Sequence, residues 1–547
     1  MKRFSIIATI VVLGGVAIQA YSDKYFEMSK NLDIFSSLYK ELNLRYVDET
    51  QPGKLMKTGI DAMLESLDPY TVYYPESDIE DYRLMTTGKY GGIGSLIRKK
   101  DDFVIVSEPY EGFPAQKAGM KAGDVIISVD GNATEGKNSD EMSKLLKGQP
   151  GTALEIEVQR YGVDEPLLFE VVREEVKIQD VPYFGMLNNE VGYIMLNSFT
   201  ETASKEVTKA FKDLKANKGM KKLVFDLRGN GGGLLREAVN IVNLFVPKGQ
   251  EVVSTKGKIA QSKKVYRTLN EPLDEEIPVV ILIDGGSASA SEIVAGTLQD
   301  LDRGVVVGTN SFGKGLVQQT VDLSYNSKMK LTVAKYYTPS GRCIQRIDYS
   351  HKDKNGKFET VPDSLKAEFK TKNGRTVYDG AGIDPDIKVS EEAASKILAS
   401  LVQKNLIFDY ATIYSSKHTE LTGPSTFTLS DKDYEEFVSW LEEKDYDYTT
   451  KSEQLLEDLK KAAEREKYFG DIKEQYDNLV MEIGHNKAQD LYTHRNQIES
   501  VLTNEIVSRY YYQLGRIQNS LNNDDDINQA LEIFTDFKQY SRVLQEG

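Results

Sequence analysis

Strand-like and helix-like patterns alternate between residues 191 and 307, and this alternation constrains the fold more than any other feature of the chain. Strands that alternate with helices form a largely parallel sheet, with chemistry at the carboxyl ends of the strands. We therefore expect an α/β core. The predicted strands are Val191–Leu196, Lys222–Leu227, Val279–Ile283 and Gly304–Val307, and the predicted helices are Ala203–Leu214, Leu234–Phe245 and Glu292–Leu298.

Small residues and hydroxyls fill the turn between the third predicted strand and the helix after it. The turn reads Gly285-Gly286-Ser287-Ala288-Ser289-Ala290-Ser291-Glu292. A strand-to-helix turn exposes a side chain beside unpaired helix N-terminal N–H groups, which suits attack on a carbonyl and binding of the resulting oxyanion. A serine nucleophile fits this position, and an ordinary serine N-cap fits it equally well.

Composition excludes several classes of function. The 547 residues are enough for roughly three or four domains. The net charge of −16 disfavours nucleic acid as a substrate or partner. The single cysteine, Cys343, excludes an intrachain disulfide, and the four scattered histidines show no metal-ligand spacing. We therefore expect no metal site.

The N-terminus has the pattern of an export signal. Lys2 and Arg3 precede an apolar run from Ile6 to Ala20 that is short for a membrane span. We interpret residues 1–20 as a signal peptide or a signal anchor. Because Ile18 is unusual two residues before a cleavage point, an uncleaved anchor that tethers the protein to a membrane stays open.

Short strands and turns occupy residues 88–177 and resemble a PDZ domain. The predicted helix Ser139–Leu146 has Ser139 as its expected N-cap. In a PDZ domain a sheet edge takes an extended peptide as an added strand, and a glycine-rich loop receives its terminal carboxylate. That loop would use Gly92, Ile93 and Gly94, and Met142 and Leu146, with Leu145 beside them, would receive the last side chain. The matching pieces are Tyr90-Gly91-Gly92-Ile93-Gly94, Pro114-Ala115-Gln116-Lys117-Ala118-Gly119, Lys121-Ala122-Gly123-Asp124 and Asp130-Gly131.

A serine nucleophile needs a base, and the sequence offers a lysine rather than a histidine. Only His351 lies within the α/β region. Lys314 stands between two glycines just beyond the last predicted strand, where burial would favour its neutral form. Taken alone, Lys314 also fits a solvent-facing turn.

The loop from Arg228 to Gly233 brings backbone amides close to a ligand, but it lacks the lysine and hydroxyl of a P-loop.

Several motifs in order resemble the carboxyl-terminal processing (tail-specific) serine proteases. The resemblance covers about Leu32 to Val389 and encloses the PDZ-like segment. It implies a crotonase-like (ClpP/crotonase-type) protease core, a bacterial periplasmic or envelope location, and cleavage near the C-termini of proteins. The matching segments are Asp226-Leu227-Arg228-Gly229-Asn230-Gly231-Gly232-Gly233, Gly286 to Ile293, Gly308 to Gln318, Tyr337-Thr338-Pro339-Ser340-Gly341-Arg342 and Gly382-Ile383-Asp384-Pro385-Asp386.

The resemblance also implies roles for individual residues. Ser289 corresponds to the nucleophile and Lys314, 25 positions later, to the general base. Gln318 corresponds to a residue that positions the lysine. The oxyanion hole would use the amide of Ala290 and an amide of the glycine-rich loop, at position 232 or 233. No cofactor is implied, and turnover should fall as the pH is lowered because protonated Lys314 is no longer a base.

The sequence thus predicts an α/β (α+β) multidomain enzyme that binds and cuts proteins or peptides with exposed apolar C-termini. The expected segments are 1–20 for export, 21–87 helical, 88–177 PDZ, 178–390 serine protease core and 391–547 a helical C-terminal extension. The extension carries no evident chemistry, and we expect it to serve homo-oligomerisation or substrate control. The alternative is a catalytically inactive PDZ scaffold that only captures C-terminal peptides.

Overall fold

The computed structural model describes residues 25–354, 356–390, 393–483 and 487–545. These residues divide into two compact units, one of residues 25–75 and 319–332 and the other of residues 76–318 and 333–545. The expected export segment, residues 1–20, lies outside the described ranges. Within those ranges, no helix is both long enough and apolar enough to cross a membrane.

The first unit is mainly helical. Residues 25–45 and Pro52–Glu65 form helices, and the strand Val72–Tyr74 pairs antiparallel with residues 328–330. Asp68 holds the turn after the second helix, because its Oδ1 accepts hydrogen bonds from the N–H groups of Tyr70 and Thr71 at 2.8 Å each. A side chain that satisfies its own turn in this way ends the helix locally.

Residues 89–177 form a six-stranded sheet, a separate pair of strands and two short helices, consistent with the predicted PDZ domain. Ser95–Lys100 is an edge strand of the sheet. The hydrophobic core of this domain includes Val104, Ile126 and Ile156, each fully buried. In spatial order the strands are Ser95–Lys100, Phe103–Pro109, Val125–Val129, Ala153–Gln159 and Leu167–Val172; Asn132–Ala133 joins Val125–Val129, Lys89–Gly92 pairs with Glu174–Lys177, and the helices are Pro114–Lys117 and Ser139–Leu146.

The N-cap of helix Ser139–Leu146 is Asn138, so the prediction of Ser139 was wrong. Asn138 Oδ1 accepts hydrogen bonds from the N–H groups of Asp140 and Glu141 at 3.0 Å each. The Glu141 carboxylate in turn accepts one from the Asn138 N–H at 2.9 Å. Asparagine and serine are comparable N-caps, and the glutamate three positions after Asn138 is the signal that distinguishes them.

A six-stranded sheet forms the centre of the second unit, and every pairing after the first is parallel, which confirms the predicted α/β core. One face is covered by helices Ala203–Lys218, Leu235–Val242 and Ala290–Asp300, which share one large apolar core with it. The strands are, in spatial order, Tyr183–Met186, Val191–Met195, Lys222–Asp226, Val279–Ile283, Val305–Gly308 and Ile387–Lys388.

The C-terminal extension covers the opposite face of this sheet. Ile527, Ile533 and Phe534 are nearly or fully buried against strand residues such as Val224 and Val280. Two helices, Asp525–Thr535 and Phe537–Gln545, supply this second layer. The extension is therefore part of the protease core's packing, and the sheet is buried on both faces as parallel sheets require.

The remaining elements lie in the second unit, except for the strand residues 319–322 and 328–332, which belong to the first unit. Residues 334–337 pair with Glu251–Gly257, which also pairs with Lys264–Arg267. Other strands are Leu316–Asp322, Lys328–Tyr337, Ile347–Lys352, Phe358–Thr360, Glu368–Lys370 and Thr376–Tyr378, and the other helices of the extension are Lys396–Gln403, Leu406–Lys417, Asp431–Leu441, Lys451–Arg465, Phe469–Ile483, Lys487–Thr493 and Arg495–Ser520.

Candidate active site

The three serines of the strand-to-helix turn have different environments. Ser287 and Ser291 are fully buried. The Ser287 hydroxyl donates to the carbonyl of Leu227 and the Ser291 hydroxyl to the carbonyl of Asn230, both at 2.8 Å. Ser289 is half-buried. The outer two hydroxyls therefore hold the turn together, and the middle serine is the one that reaches the surface of the site.

Ser289 adopts a backbone conformation that L-residues rarely occupy. It has φ 55° and ψ −109° and stands immediately before helix Ala290–Asp300. Such a conformation costs about 1–3 kcal/mol and persists only where its surroundings enforce it. A strained serine between a strand and a helix is the geometry of a nucleophile elbow, in which the serine stands at the N-terminus of the helix.

The buried carboxylate of Glu292 joins the serine turn to the lysine loop. Its Oε2 accepts hydrogen bonds from the N–H of Ser289 at 2.7 Å and from the N–H of Lys314 at 2.9 Å. Its Oε1 accepts from the hydroxyl of Ser311 at 2.6 Å and from the N–H of Gly313 at 2.7 Å. One side chain thus fixes the backbones of both candidate catalytic residues.

Burial raises the pKa of Glu292, and its four hydrogen bonds act in the opposite direction. The sequence alone does not predict a role for this residue. The available signal was the spacing of Ser289 and Glu292, which is that of a capping box.

Tyr336 is a second residue of the site that the sequence did not predict. Its ring is 1% exposed and its hydroxyl donates to the carbonyl of Ser289 at 3.2 Å.

The glycine-rich loop lies directly against the serine turn. A Cβ on Gly232, where φ is 95°, would lie 2.8 Å from the nitrogen of Ala290 and 2.9 Å from Ser289 Cβ. Only glycine fits there without displacing the turn. The N–H of Gly232 donates to Asn230 Oδ1 at 2.9 Å. Gly233 forms a parallel bridge with Phe199. In this bridge the N–H of Phe199 donates to the carbonyl of Gly232, and the N–H of Leu234 donates to the carbonyl of Phe199.

Asn230 and Asp284 connect the same loop to the turn a second time. The carbonyl of Asn230 accepts hydrogen bonds from the N–H of Ala288 at 3.0 Å and from the Ser291 hydroxyl. Asp284 Oδ1 accepts from the N–H of Gly229 at 2.8 Å and from the N–H of Gly286 at 2.9 Å. The loop and the turn therefore form one hydrogen-bonded frame.

Lys314 lies in the loop that Glu292 holds, and Gln318 lies in the strand that follows this loop. Lys314 is half-buried and precedes strand Leu316–Asp322, which contains the half-buried Gln318. Gly313, one of the two glycines that flank Lys314, lies in a tightly packed position, because a Cβ there, at φ 86°, would lie 2.5 Å from the Cβ of Arg346.

The expected peptide-binding residues of the PDZ domain also come together. Ile93, Met142 and Leu146 belong to one buried cluster, whereas Leu145 is half-buried. Gly92 ends strand Lys89–Gly92, Gly94 lies in the loop that precedes edge strand Ser95–Lys100, and both glycines are buried.

Gly94 in that loop has to be a glycine. Its φ is 70°, and a Cβ on it would lie 2.4 Å from the Cβ of Phe113.

The described residues contain no group of three or more histidine, cysteine, aspartate or glutamate side chains arranged to hold a metal ion.

Comparisons with known proteins agree with this arrangement of a serine-type peptidase core and a PDZ domain. Residues 190–351 match "Peptidase family S41", residues 105–160 match "PDZ domain", and residues 397–534 match "Probable PDZ-protease, C-terminal helical domain". The chain is 39% identical to a carboxy-terminal-processing protease of Bartonella bacilliformis over 321 residues, which are 58% of this chain and 73% of that protein.

A second relative is the carboxy-terminal processing protease CtpA of Bacillus subtilis, with 31% identity over 440 residues, 78% of this chain and 90% of that protein. Among solved structures, the photosystem II D1 C-terminal processing protease is 29% identical, with coverage of 65% of this chain and 92% of that one and a TM-score of 0.35. The chain belongs to the carboxy-terminal processing proteases of peptidase family S41, and it is a serine-type peptidase with a PDZ domain.

Proposed function

We propose that this chain is a serine endopeptidase that uses a Ser289–Lys314 dyad to cut proteins near their C-termini. The observation that carries the proposal is the shared carboxylate of Glu292, which binds the backbone N–H groups of both residues at 2.7 and 2.9 Å. The structural roles of the Ser287 and Ser291 hydroxyls support the choice of the middle serine.

In this mechanism neutral Lys314 accepts the proton of the Ser289 hydroxyl as the serine oxygen attacks the scissile carbonyl. A tetrahedral oxyanion forms. Lys314 then gives the proton to the leaving amine, the C–N bond breaks, and an acyl-enzyme remains on Ser289. Water, deprotonated by Lys314, attacks the ester, and the serine leaves with the returned proton. No metal or cofactor takes part in these steps.

We propose that the oxyanion is bound by the N–H of Ala290 and by an amide of the glycine-rich loop. The N–H of Gly232 is already used by Asn230 Oδ1. The bridge to Phe199 uses the carbonyl of Gly232 and the N–H of Leu234, so the N–H of Gly233 points away from Phe199. This favours Gly233 as the second donor and Gly232 as the residue that permits close packing.

Gln318 is proposed to position the side chain of Lys314. It lies four residues further along the chain, in the strand that the lysine loop enters. A side-chain amide near the lysine can orient the amine by hydrogen bonding without competing for its proton. In this role Gln318 affects the rate of proton transfer rather than the binding of substrate.

The PDZ domain is proposed to capture the apolar C-terminal tail of the substrate. Strand Ser95–Lys100 is at the edge of its sheet, and Leu96 on this strand is 46% exposed. An edge strand preceded by a glycine-rich loop provides main-chain hydrogen bonds for an added strand and N–H groups for a terminal carboxylate. Met142, Leu145 and Leu146 would form the apolar wall for the last side chain.

We further propose that residues 1–20 direct export to the cell envelope, with a membrane tether if the segment is not removed. Cell fractionation tests this, because deletion of residues 1–20 should leave the protein in the cytosol.

The expectation that the extension mediates homo-oligomerisation stays a prediction, and sedimentation of the full chain by analytical ultracentrifugation tests it.

The test of the proposed function uses the full chain, an unfolded protein with an apolar C-terminus, and mass spectrometry of the products. The wild type should release peptides cut near the C-terminus, and Ser289→Ala should release none. Ser287→Ala is the matched control, which should lose stability but still cut. A wild-type protein that binds the tail and cuts nothing is an inactive scaffold, and that result would overturn the proposal.

A further inference from the structure

The C-terminal extension contains an acidic run for which the sequence alone predicts no function. It reads Asn522-Asn523-Asp524-Asp525-Asp526 and leads into helix Asp525–Thr535. Asp524 is the N-cap of this helix, since its Oδ1 accepts a hydrogen bond from the N–H of Ile527 at 3.1 Å. Capping accounts for one oxygen of one aspartate and leaves the rest of the run unexplained.

The other carboxylate contacts of the run are with Arg228, almost 300 positions earlier in the chain. Arg228 Nη1 donates to Asp524 Oδ1 and to Asp526 Oδ2, both at 2.9 Å, and Nη2 lies 2.8 Å from Asp524 Oδ2. The guanidinium also holds Asp226, with Nη2 at 2.6 Å from Asp226 Oδ2. The side chains of Arg228, Asp524 and Asp526 are only 16–20% exposed. These contacts are charge-assisted, partly desolvated and spread over several guanidinium N–H groups, which distinguishes them from an ordinary surface ion pair.

Arg228 is the first residue of the glycine-rich loop beside Ser289. Directly after it, Gly229 bonds to Asp284, and Asn230 bonds to the serine turn through its carbonyl. The loop then continues to Gly232, which packs against Ser289 and Ala290. The position of the Arg228 side chain therefore sets where the loop starts on its way to the site.

We propose that Asp524 and Asp526 are positioning residues for peptide cleavage: through Arg228 they fix the loop that supplies an oxyanion donor. This inference rests on the proposed function, and it assigns the extension a part in the active site beyond covering the sheet. The two aspartates touch no substrate. Their effect passes through the guanidinium into the backbone of the loop.

Asp226 alone does not fix Arg228 in the same way. Asp226 is two residues from Arg228 in sequence and belongs to the strand that leads into the loop, so it moves with the loop. Asp524 and Asp526 belong to a helix that is anchored on the far face of the sheet by Ile527 and Phe534. They therefore hold Arg228 in place from outside the loop. When both aspartates are removed, Asp226 still neutralises the charge of the guanidinium.

Point substitutions test this better than truncation, which would expose the apolar face of the sheet. We choose the double variant Asp524→Ser/Asp526→Ser, because serine retains the N-cap of the helix but is too short to reach Arg228. Asp525→Ser is the matched control. Asp525 lies between the two, is exposed, and occupies the same first turn. The full-length proteins are assayed for kcat and KM on an internally quenched peptide with an apolar C-terminus.

Active sites are counted in parallel by end-point reaction with a fluorophosphonate and intact-mass measurement. For the double variant we expect a full complement of reactive sites, an unchanged KM, and a kcat per site about 10- to 100-fold lower, a part of the 10²–10³ that one oxyanion donor contributes. Asp525→Ser should match the wild type. The matched control thus separates loss of the Arg228 contacts from loss of charge in the turn.

Two results would overturn the inference. Fewer reactive sites with a normal kcat per site would show that the aspartates only stabilise the fold, and an unchanged kcat per site in all variants would show that the contacts have no role in cleavage. If the wild type neither reacts with the fluorophosphonate nor cuts the peptide, the proposed function itself fails, and the inference fails with it.

Discussion

The serine turn and the PDZ loop are both glycine-rich backbone segments, but they are held in different ways. At the serine turn, Glu292 accepts four hydrogen bonds and Asn230 and Asp284 add further ones. At the PDZ loop, the proposed recognition elements are an edge strand and an apolar wall. Covalent chemistry needs atoms held in fixed positions, whereas recognition of a C-terminal tail reuses generic backbone and apolar surface.

The same contrast appears in the energetics. The unusual φ of Ser289 costs about 1–3 kcal/mol. Hydrogen bonds to a charged group each contribute about 1.5–3 kcal/mol, so the contacts of Glu292 are enough to hold the strained turn. At the PDZ site, Gly94 adopts its positive φ without strain, and in the proposed function the affinity would come from burial of the tail. Substitutions at the turn should therefore change kcat, and substitutions at the PDZ site should change binding.

Ser289→Ala should give the largest effect and the clearest separation of the two regions. Loss of the nucleophile should lower kcat by on the order of 10⁴-fold or more. Binding of a fluorescent C-terminal tail peptide, measured by anisotropy, should equal that of the wild type. A large loss of tail affinity in this variant would mean that the two regions are not independent.

Glu292→Gln should give the next largest effect. The glutamine amide presents an NH₂ group to N–H donors, so it cannot accept the four hydrogen bonds of the carboxylate. We expect kcat to fall by about 10²-fold or more with tail affinity unchanged. Steady-state kinetics and anisotropy on the same preparation check this, and a kcat within two-fold (~0.4 kcal/mol) of the wild type would contradict the role of Glu292.

Leu145→Ala tests the other side of the comparison. Leu145 is half-buried on the PDZ helix, whereas Met142 is fully buried. Truncation of Leu145 therefore removes part of the proposed apolar wall with less damage to the core than truncation of Met142. Tail affinity should weaken by about 3- to 10-fold with kcat unchanged. Lys144→Ala, an exposed position on the same helix, is the matched control. A fall in kcat without a change in affinity would break the comparison.

The smallest expected effect concerns the pH dependence of stability. The pKa of Glu292 is raised in the folded protein because the group is buried. As the pH rises through the ordinary glutamate range, the unfolded chain loses its proton first. The native protein holds its proton to a higher pH, so the stability of the wild type should fall across that interval relative to Glu292→Gln. Urea unfolding of both proteins at a series of pH values checks this, and a constant difference would contradict it.

The fold and part of the site follow from local sequence patterns. The runs Val279–Ile283 and Val305–Gly308 are apolar and β-branched because both faces of the sheet are covered, and such runs are visible in a sequence. The serine turn was found in the same way, and the resemblance to a protease family, rather than local pattern, favoured Ser289 and Lys314 over their neighbours.

Long-range contacts could not be predicted from these patterns. Arg228 and Asp524 are 296 positions apart, and nothing in either local pattern points to the other. The hydroxyl of Tyr336 reaches Ser289 from 47 positions away. Glu292 is the exception, because its capping-box spacing from Ser289 is local, and its bonds to the lysine loop appeared only with the fold.

The most direct test of the central claim is to locate the covalent adduct formed by a fluorophosphonate. The full-length wild type should carry one adduct, which peptide mass spectrometry should place on Ser289. Lys314→Met, which retains the length of the side chain without a base, should react at least about 10²-fold more slowly. An adduct on Ser287 or Ser291, or an equal rate of labelling in the Lys314→Met variant, would contradict the Ser289–Lys314 dyad.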